Sequence, residues 1–167
     1  MVGCLAGCGA TTIRLETAPT LDTGGRPGFE SLVSLGVGLP LDFRGRSHHF
    51  IQARAAVGGG VDGQTARGMF VAVTDLDYIY WAEPRLDLRA GLRLSYRNTG
   101  DAKLFGLGGR LGLLPIVHGD DANWLVWHFC LGPELRIESL WSDSTGAQRG
   151  LFSVPLIAEL NFLAAGD

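Results

Sequence analysis

The strongest constraint in this sequence is a period of two. From Leu86 to Arg97, the residues Leu86, Leu88, Ala90, Leu92, Leu94 and Tyr96 alternate with Asp87, Arg89, Gly91, Arg93, Ser95 and Arg97. Successive side chains of an extended strand point to opposite faces, so such a strand has one apolar and one charged side. The pattern recurs. Phe152, Val154, Leu156, Ala158, Leu160 and Phe162 oppose Ser153, Glu159 and Asn161; Phe105, Leu107, Leu111 and Leu113 oppose Gly106, Gly108, Arg110 and Gly112; Leu125, Trp127, Phe129 and Leu131 oppose His128, Cys130, Gly132 and Glu134. Shorter runs surround Ile13, Val33, Ile51 and Phe70, and no stretch after Thr11 shows a helical period of 3.6. The count is eight strands, and the fold class is all-β.

Turn chemistry separates the strands. Clusters of Gly, Asp, Asn, Ser and Pro at 22–28, 58–63, 98–101 and 142–146 follow the odd strands. The connections near 41–46, 82–85 and 118–122 follow the even ones and are read as no longer, an asymmetry expected of a barrel with both termini on the periplasmic side. Pro133 and Pro155 fall inside strands, where a missing N–H breaks a ladder bond, so each is expected at a bulge or a strand boundary.

An alternating closed sheet has two opposite forms: apolar face outward to lipid, or apolar face inward around a ligand. Three features favour the first. Gly36, Gly91, Gly106, Gly108, Gly112 and Gly132 share the charged face, where a solvated strand gains nothing from them but a narrow interior gains room for long side chains. The charged face also balances. Arg14, Arg54, Arg89, Arg93, Arg97, Arg110 and Arg136 stand against Glu16, Glu30, Asp75, Asp77, Asp87, Glu134 and Glu159, a set able to form the paired network that buried charges require. Thirteen arginines against one lysine, Lys103, fit that use, arginine being the better bidentate partner, although a GC-rich genome also accounts for the ratio. Finally, Tyr78, Tyr80, Trp81, Tyr96, Trp124, Trp127 and Trp141 lie near strand ends, as interfacial aromatic girdles do.

On these residues the chain, from Thr11 to Phe162, resembles the small eight-stranded outer-membrane barrels, the class of the OmpA transmembrane domain and OmpX. The resemblance rests on alternation, glycine content, turn pattern and the terminal Phe162, not on a diagnostic motif. It implies a closed antiparallel up-and-down transmembrane barrel in a bacterial outer membrane, with lipid as its surroundings and eight strands too few for an open pore.

The N-terminus carries a second resemblance. Leu5-Ala6-Gly7-Cys8 is similar to a lipobox, which makes 1–8 the end of a lipoprotein signal, Cys8 the acylated residue and 9–167 one barrel domain. Only seven residues precede Cys8, fewer than a secretory signal needs, so either the true start lies upstream of Met1 or the match is accidental.

Chemistry-bearing clusters are few. Ser47-His48-His49 and Asp120-Asp121 sit in expected turns without further ligands at metal-binding spacing. His128 lies on the charged face and reads as part of the arginine and carboxylate network, and Cys130 as a small buried thiol. No nucleophile elbow, phosphate loop or dinucleotide fingerprint occurs. With 19% charged residues, a net charge of −3 and no basic cluster, nucleic acid is not an expected partner. No cofactor or metal is expected, and the chain is read as a monomer. The leading expectation is a non-enzymatic outer-membrane barrel with a structural or interaction role. The alternatives are a soluble or lipid-anchored lipocalin-like barrel with an apolar ligand, and a lipid-modifying outer-membrane enzyme.

Overall fold

In the computed structural model, residues 10–41, 49–82, 86–121 and 125–164 are described; Cys8, Ser47, His48 and Trp124 lie outside them. The chain forms a closed antiparallel barrel from β1 (Ala10–Asp22), β2 (Pro27–Pro40), β3 (His49–Val61), β4 (Gly68–Ala82), β5 (Leu86–Asn98), β6 (Lys103–Asp121), β7 (Leu125–Ser142), β8 (Gln148–Ser153) and β9 (Leu156–Ala164). From β1 to β8 each strand pairs with the next, and β8 and β9 each lie between β7 and β1 to close the sheet. β8 and β9 are two halves of one eighth strand. The walls therefore number eight, with no free edge along the closed part of the sheet.

Pro155 marks the division between those halves, yet the register does not slip. Arg136 faces Ser153 and Pro133 faces Leu156 on the β7 side, while Thr20 faces Ser153 and Thr17 faces Leu156 on the β1 side, three residues against three each time. Pro155 lies at the strand boundary between β8 and β9, one of its two expected places, whereas Pro133 lies within β7 without a bulge; both leave out ladder donors, and Glu134 N still donates to Pro155 O (3.1 Å). The register shift lies instead between Ile116 and His118, leaving Val117 as the extra residue. Beyond it the β6–β7 hairpin continues, so Asp120 and Asp121 lie in strand β6 opposite Trp127 and Val126 and do not form a turn.

The connections also correct a sequence reading. Those after odd strands are tight turns spanning 23–26, 62–67, 99–102 and 143–147, whereas the longest, 41–48, follows β2. The turns at the first end are cross-tied. Arg149 pairs with Asp62 (2.8 Å), Arg67 with Asp101, and Thr23 N donates to Gly150 O (3.0 Å).

Alternation holds around the whole barrel. In β1 the burial pattern is strictly two-fold from Ala10 to Asp22, and β2 repeats it from Phe29 to Pro40. Among the described residues thirty large apolar side chains are exposed on the outside, including Leu35, Val37, Leu92 and Leu111, each at least 60% accessible. Among the described residues, Lys103, at the very start of β6, is the charged residue exposed at a strand position, and Asp120, paired with Trp127 near the far end of β6, shares the outward register. Inside, Arg14 and Arg93 are fully buried.

Glycine makes this inversion geometrically possible. A Cβ on Gly91 would collide with Asp77 Oδ1 and lie 2.8 Å from Leu76 O; on Gly112 it would lie 2.7 Å from Arg89 Cγ. Gly109, one residue from Arg110 but on the outward face, is different: a Cβ there meets nothing closer than Gly91 O at 3.9 Å. Gly91→Ala is therefore expected to lower stability by about 1–3 kcal/mol through overpacking, while Gly109→Ala should be neutral or stabilise by up to about 1 kcal/mol. Urea titration of the folded barrel followed by tryptophan fluorescence measures both.

Candidate functional site

The barrel interior concentrates the molecule's polar chemistry. Period two sends alternate residues of every wall inward, and closure brings them within reach of one another. Arg14 and Glu16 come from β1, Glu30 from β2, Arg54 from β3, Asp75 and Asp77 from β4, and Asp87, Arg89, Arg93 and Arg97 from β5. Arg110 comes from β6, Glu134 and Arg136 from β7, and Glu159 from β9. All fourteen are at most 3% exposed.

They form one connected network. Toward the tight-turn end, Arg97 Nε donates to Glu30 Oε1 (2.7 Å) and Arg97 Nη2 to Glu138 Oε1 (3.0 Å). Arg93 lies 4.0 Å from Glu138, donates through Nε to Asp75 Oδ1 (2.8 Å) and through Nη2 to Glu16 Oε1 (3.3 Å). Arg136 joins Glu16 (2.9 Å) to Glu134 (3.3 Å), and Arg14 joins Glu134 (2.9 Å) to Glu159 (3.5 Å). Arg110 pairs with Asp75 (3.0 Å), Asp77 and Glu134 (3.4 Å), and Arg54 pairs with Asp75 (3.3 Å), Asp77 (3.0 Å) and Glu159 (3.2 Å). Arg89 completes the chain between Glu159 (2.6 Å) and Asp87. Every guanidinium thus bridges at least two carboxylates, the geometry for which its planar fork is suited.

Glu138 is the member that the sequence reading missed. Glu134, Arg136 and Glu138 sit two apart on β7, so continuing the alternation beyond Glu134 was the available signal. With it, seven arginines face eight carboxylates in place of an even balance. Apolar side chains also enter the interior, which is less uniformly polar than alternation implied. Leu32, Ala56, Met69, Val71 and Val73 pack together, as do Leu104, Leu140 and Leu151, in the tight-turn half; Leu114, Cys130 and Ile157 pack with Ile116 in the other. Below the charges, Gln52 Nε2 donates to Thr12 Oγ1 (2.5 Å), which donates to Asn161 Oδ1 (2.7 Å).

Two aromatic assignments change. Trp81 turns inward, its ring 4.4 Å from that of Phe50 and 4.8 Å from that of His128, and so belongs to no outer girdle. His128 accordingly lies against Trp81 at the end that carries the termini. His49 opens β3 and meets the Tyr78 hydroxyl through Nδ1 (2.6 Å) while stacking on Tyr80 (4.8 Å).

No protein-family model matches the chain, and no curated protein matches it. Among solved structures it is similar to Neisserial surface protein A, at 10% identity and a TM-score of 0.50, over 92% of this chain and 95% of that one. The transport unit of the autotransporter AIDA-I from Escherichia coli aligns over 99% of this chain and 93% of that one, at 8% identity and a TM-score of 0.39. The first similarity is one of fold: this chain has the architecture of a small closed eight-stranded barrel, as its sequence resemblance implied.

Removing one cation from the network leaves several buried carboxylates less compensated. Arg110→Met is expected to destabilise the barrel by about 3–5 kcal/mol. Adding Asp77→Asn to it should restore part of that loss, because the double change removes a charge of each sign. A double-mutant cycle of denaturant midpoints tests this.

Proposed function

We propose that this chain is a bacterial outer-membrane barrel that spans the bilayer, is plugged by its own side chains, and serves a structural or interaction role without catalysis. The observation that carries this is the outer surface: a belt of thirty large apolar side chains around the barrel, with charge in outward register only toward the strand ends, at Lys103 and Asp120, among the described residues. Monomeric soluble proteins rarely expose so continuous an apolar surface. The strand lengths suit a bilayer as well, β1 to β7 having 13 to 19 residues where ~9–11 suffice to cross.

Aromatic rings bound the belt. Phe29, Phe70, Phe105, Trp141 and Phe152 face outward near the tight turns, with Tyr96 against Phe105 (5.4 Å). Tyr78 and Tyr80 face outward toward the other end. Phe70 and Tyr80 lie two residues inside the two ends of β4, and at ~3.3 Å per residue and a tilt of about 40° their levels lie roughly 25 Å apart, the height of an outer-membrane apolar band. The lipocalin-like alternative needs the opposite orientation, with the apolar face around a central ligand. Here that central space holds the ion pairs. The same pairs support a non-enzymatic reading over a lipid-modifying one, since the interior carboxylates are held by guanidinium groups.

Three outcomes are expected. The protein should fractionate with outer membranes and migrate differently in SDS before and after boiling; a protein that stays soluble and monodisperse without detergent refutes the proposal. Leu92→Arg, at mid-belt, should cost about 2–4 kcal/mol in folding into lipid vesicles, with little effect from the same change at Gln148 on the rim. Reconstitution into planar bilayers should give no conductance steps.

A further inference from the structure

One feature of the outer wall is not explained by spanning alone. Across β4 to β7, Leu76, Leu92, Gly109 and Ile137 form one row of paired positions, and Tyr78, Ala90, Leu111 and Leu135 form the next. Gly109 and Ala90 interrupt two otherwise bulky rows at adjoining strands. The result is a groove of about 650 Å³, within the ~300–1,000 Å³ of small-molecule sites, floored by Ala90, Gly91 and Gly109. Gly91 is required by Asp77 behind it, but nothing crowds Gly109. A glycine inside a strand weakens it and often marks a bulge, a bend or the close approach of a ligand or another backbone; the register is unbroken at Gly109 on both sides, so no bulge accounts for it.

Resting on the membrane reading above, we infer that this groove holds one acyl chain of a glycerophospholipid, whose ester and headgroup oxygens meet the Tyr78 and His49 side chains. On the side toward the termini the groove is bounded by Ile51, Tyr78, Ala90, Leu111 and Leu135, and there the Tyr78 hydroxyl is hydrogen-bonded to His49, whose ring stacks on Tyr80. An apolar trough with a polar, aromatic-lined end matches a lipid, apolar at one end and polar at the other. That end lies toward the termini, hence toward the periplasmic leaflet, where glycerophospholipid is the occupant. A second copy fits less well. The groove has twelve lining residues, while a stable protein interface takes ~20–30 a side, and Leu92, Leu111 and Ile137 stand proud around the floor, exposed by 58% or more.

The test is native mass spectrometry of the full chain, folded into phosphatidylethanolamine vesicles and released in mild detergent. Gly109→Leu fills the groove without a backbone clash, and Ala90→Leu fills it from the neighbouring strand. The wild-type barrel should carry one retained phosphatidylethanolamine, and both variants should retain it about tenfold less while keeping unchanged heat-modified mobility. Equal retention by wild type and variants overturns the inference. A wild-type dimer that Gly109→Leu disperses overturns it in favour of a second copy. A wild-type chain that does not enter the vesicles overturns the membrane reading itself, an outcome independent of either groove variant.

Discussion

Everything in this barrel depends on burying seven guanidinium groups and eight carboxylates where water does not compensate them. Each such ion costs several kcal/mol to desolvate, and only close opposite charge with satisfied hydrogen bonds recovers that cost. The network supplies the opposite charge by bridging: Glu159 alone is approached by Arg14, Arg54 and Arg89, from three different strands, while Arg14 Nη1, Arg93 Nη1 and Arg136 Nε and Nη1 make no hydrogen bond among the described residues. Some pairs lie within one strand or between neighbours, but those that join distant strands, such as Arg14 with Glu134 and Arg89 with Glu159, form only when the sheet has closed. Register is then strongly specified. A slip of one residue in any strand would turn its charges toward the outer surface and its leucines into the ion pairs.

The same crowding explains features that otherwise look like weaknesses. Glycine at 91, 106, 108 and 112 removes side chains where arginine and carboxylate stems pass, so the local loss of strand propensity is offset by the pairs it permits. Apolar clusters fill the space that charges leave, with Leu104, Leu140 and Leu151 beneath the tight turns and Leu114, Cys130 and Ile157 farther along. Among the described residues, charges in the middle and apolar groups toward both halves fill the space between the walls. The cross-tied turns, Arg149 to Asp62 above all, seal one end further.

Much of this was legible in the chain. The run Leu86 to Arg97 showed both faces of β5 directly, because each side chain's direction follows from its parity alone. The fourteen charged residues of the interior followed from the same rule. Glu138 lies one alternate position beyond Arg136, where the sequence reading of the seventh strand stops, and Trp81 shows that nearness to a strand end does not say which face a ring occupies. The length of the β6–β7 hairpin escaped because Asp120-Asp121 has turn chemistry that strand pairing overrode. The unbroken register at Pro133 escaped because a strand within a closed sheet can lose a donor without losing its place.

By itself, the sequence determined that the chain alternates, that its charges share one face, and that this face is rich in glycine, since those are properties of neighbours along one strand. Only the tertiary structure decided which carboxylate each arginine meets, where the single register shift falls, and that Gly109 opens a groove in the outer wall while Gly91 makes room for Asp77. Those depend on the stagger between strands, which is set by closure of the whole sheet and is written in no single segment.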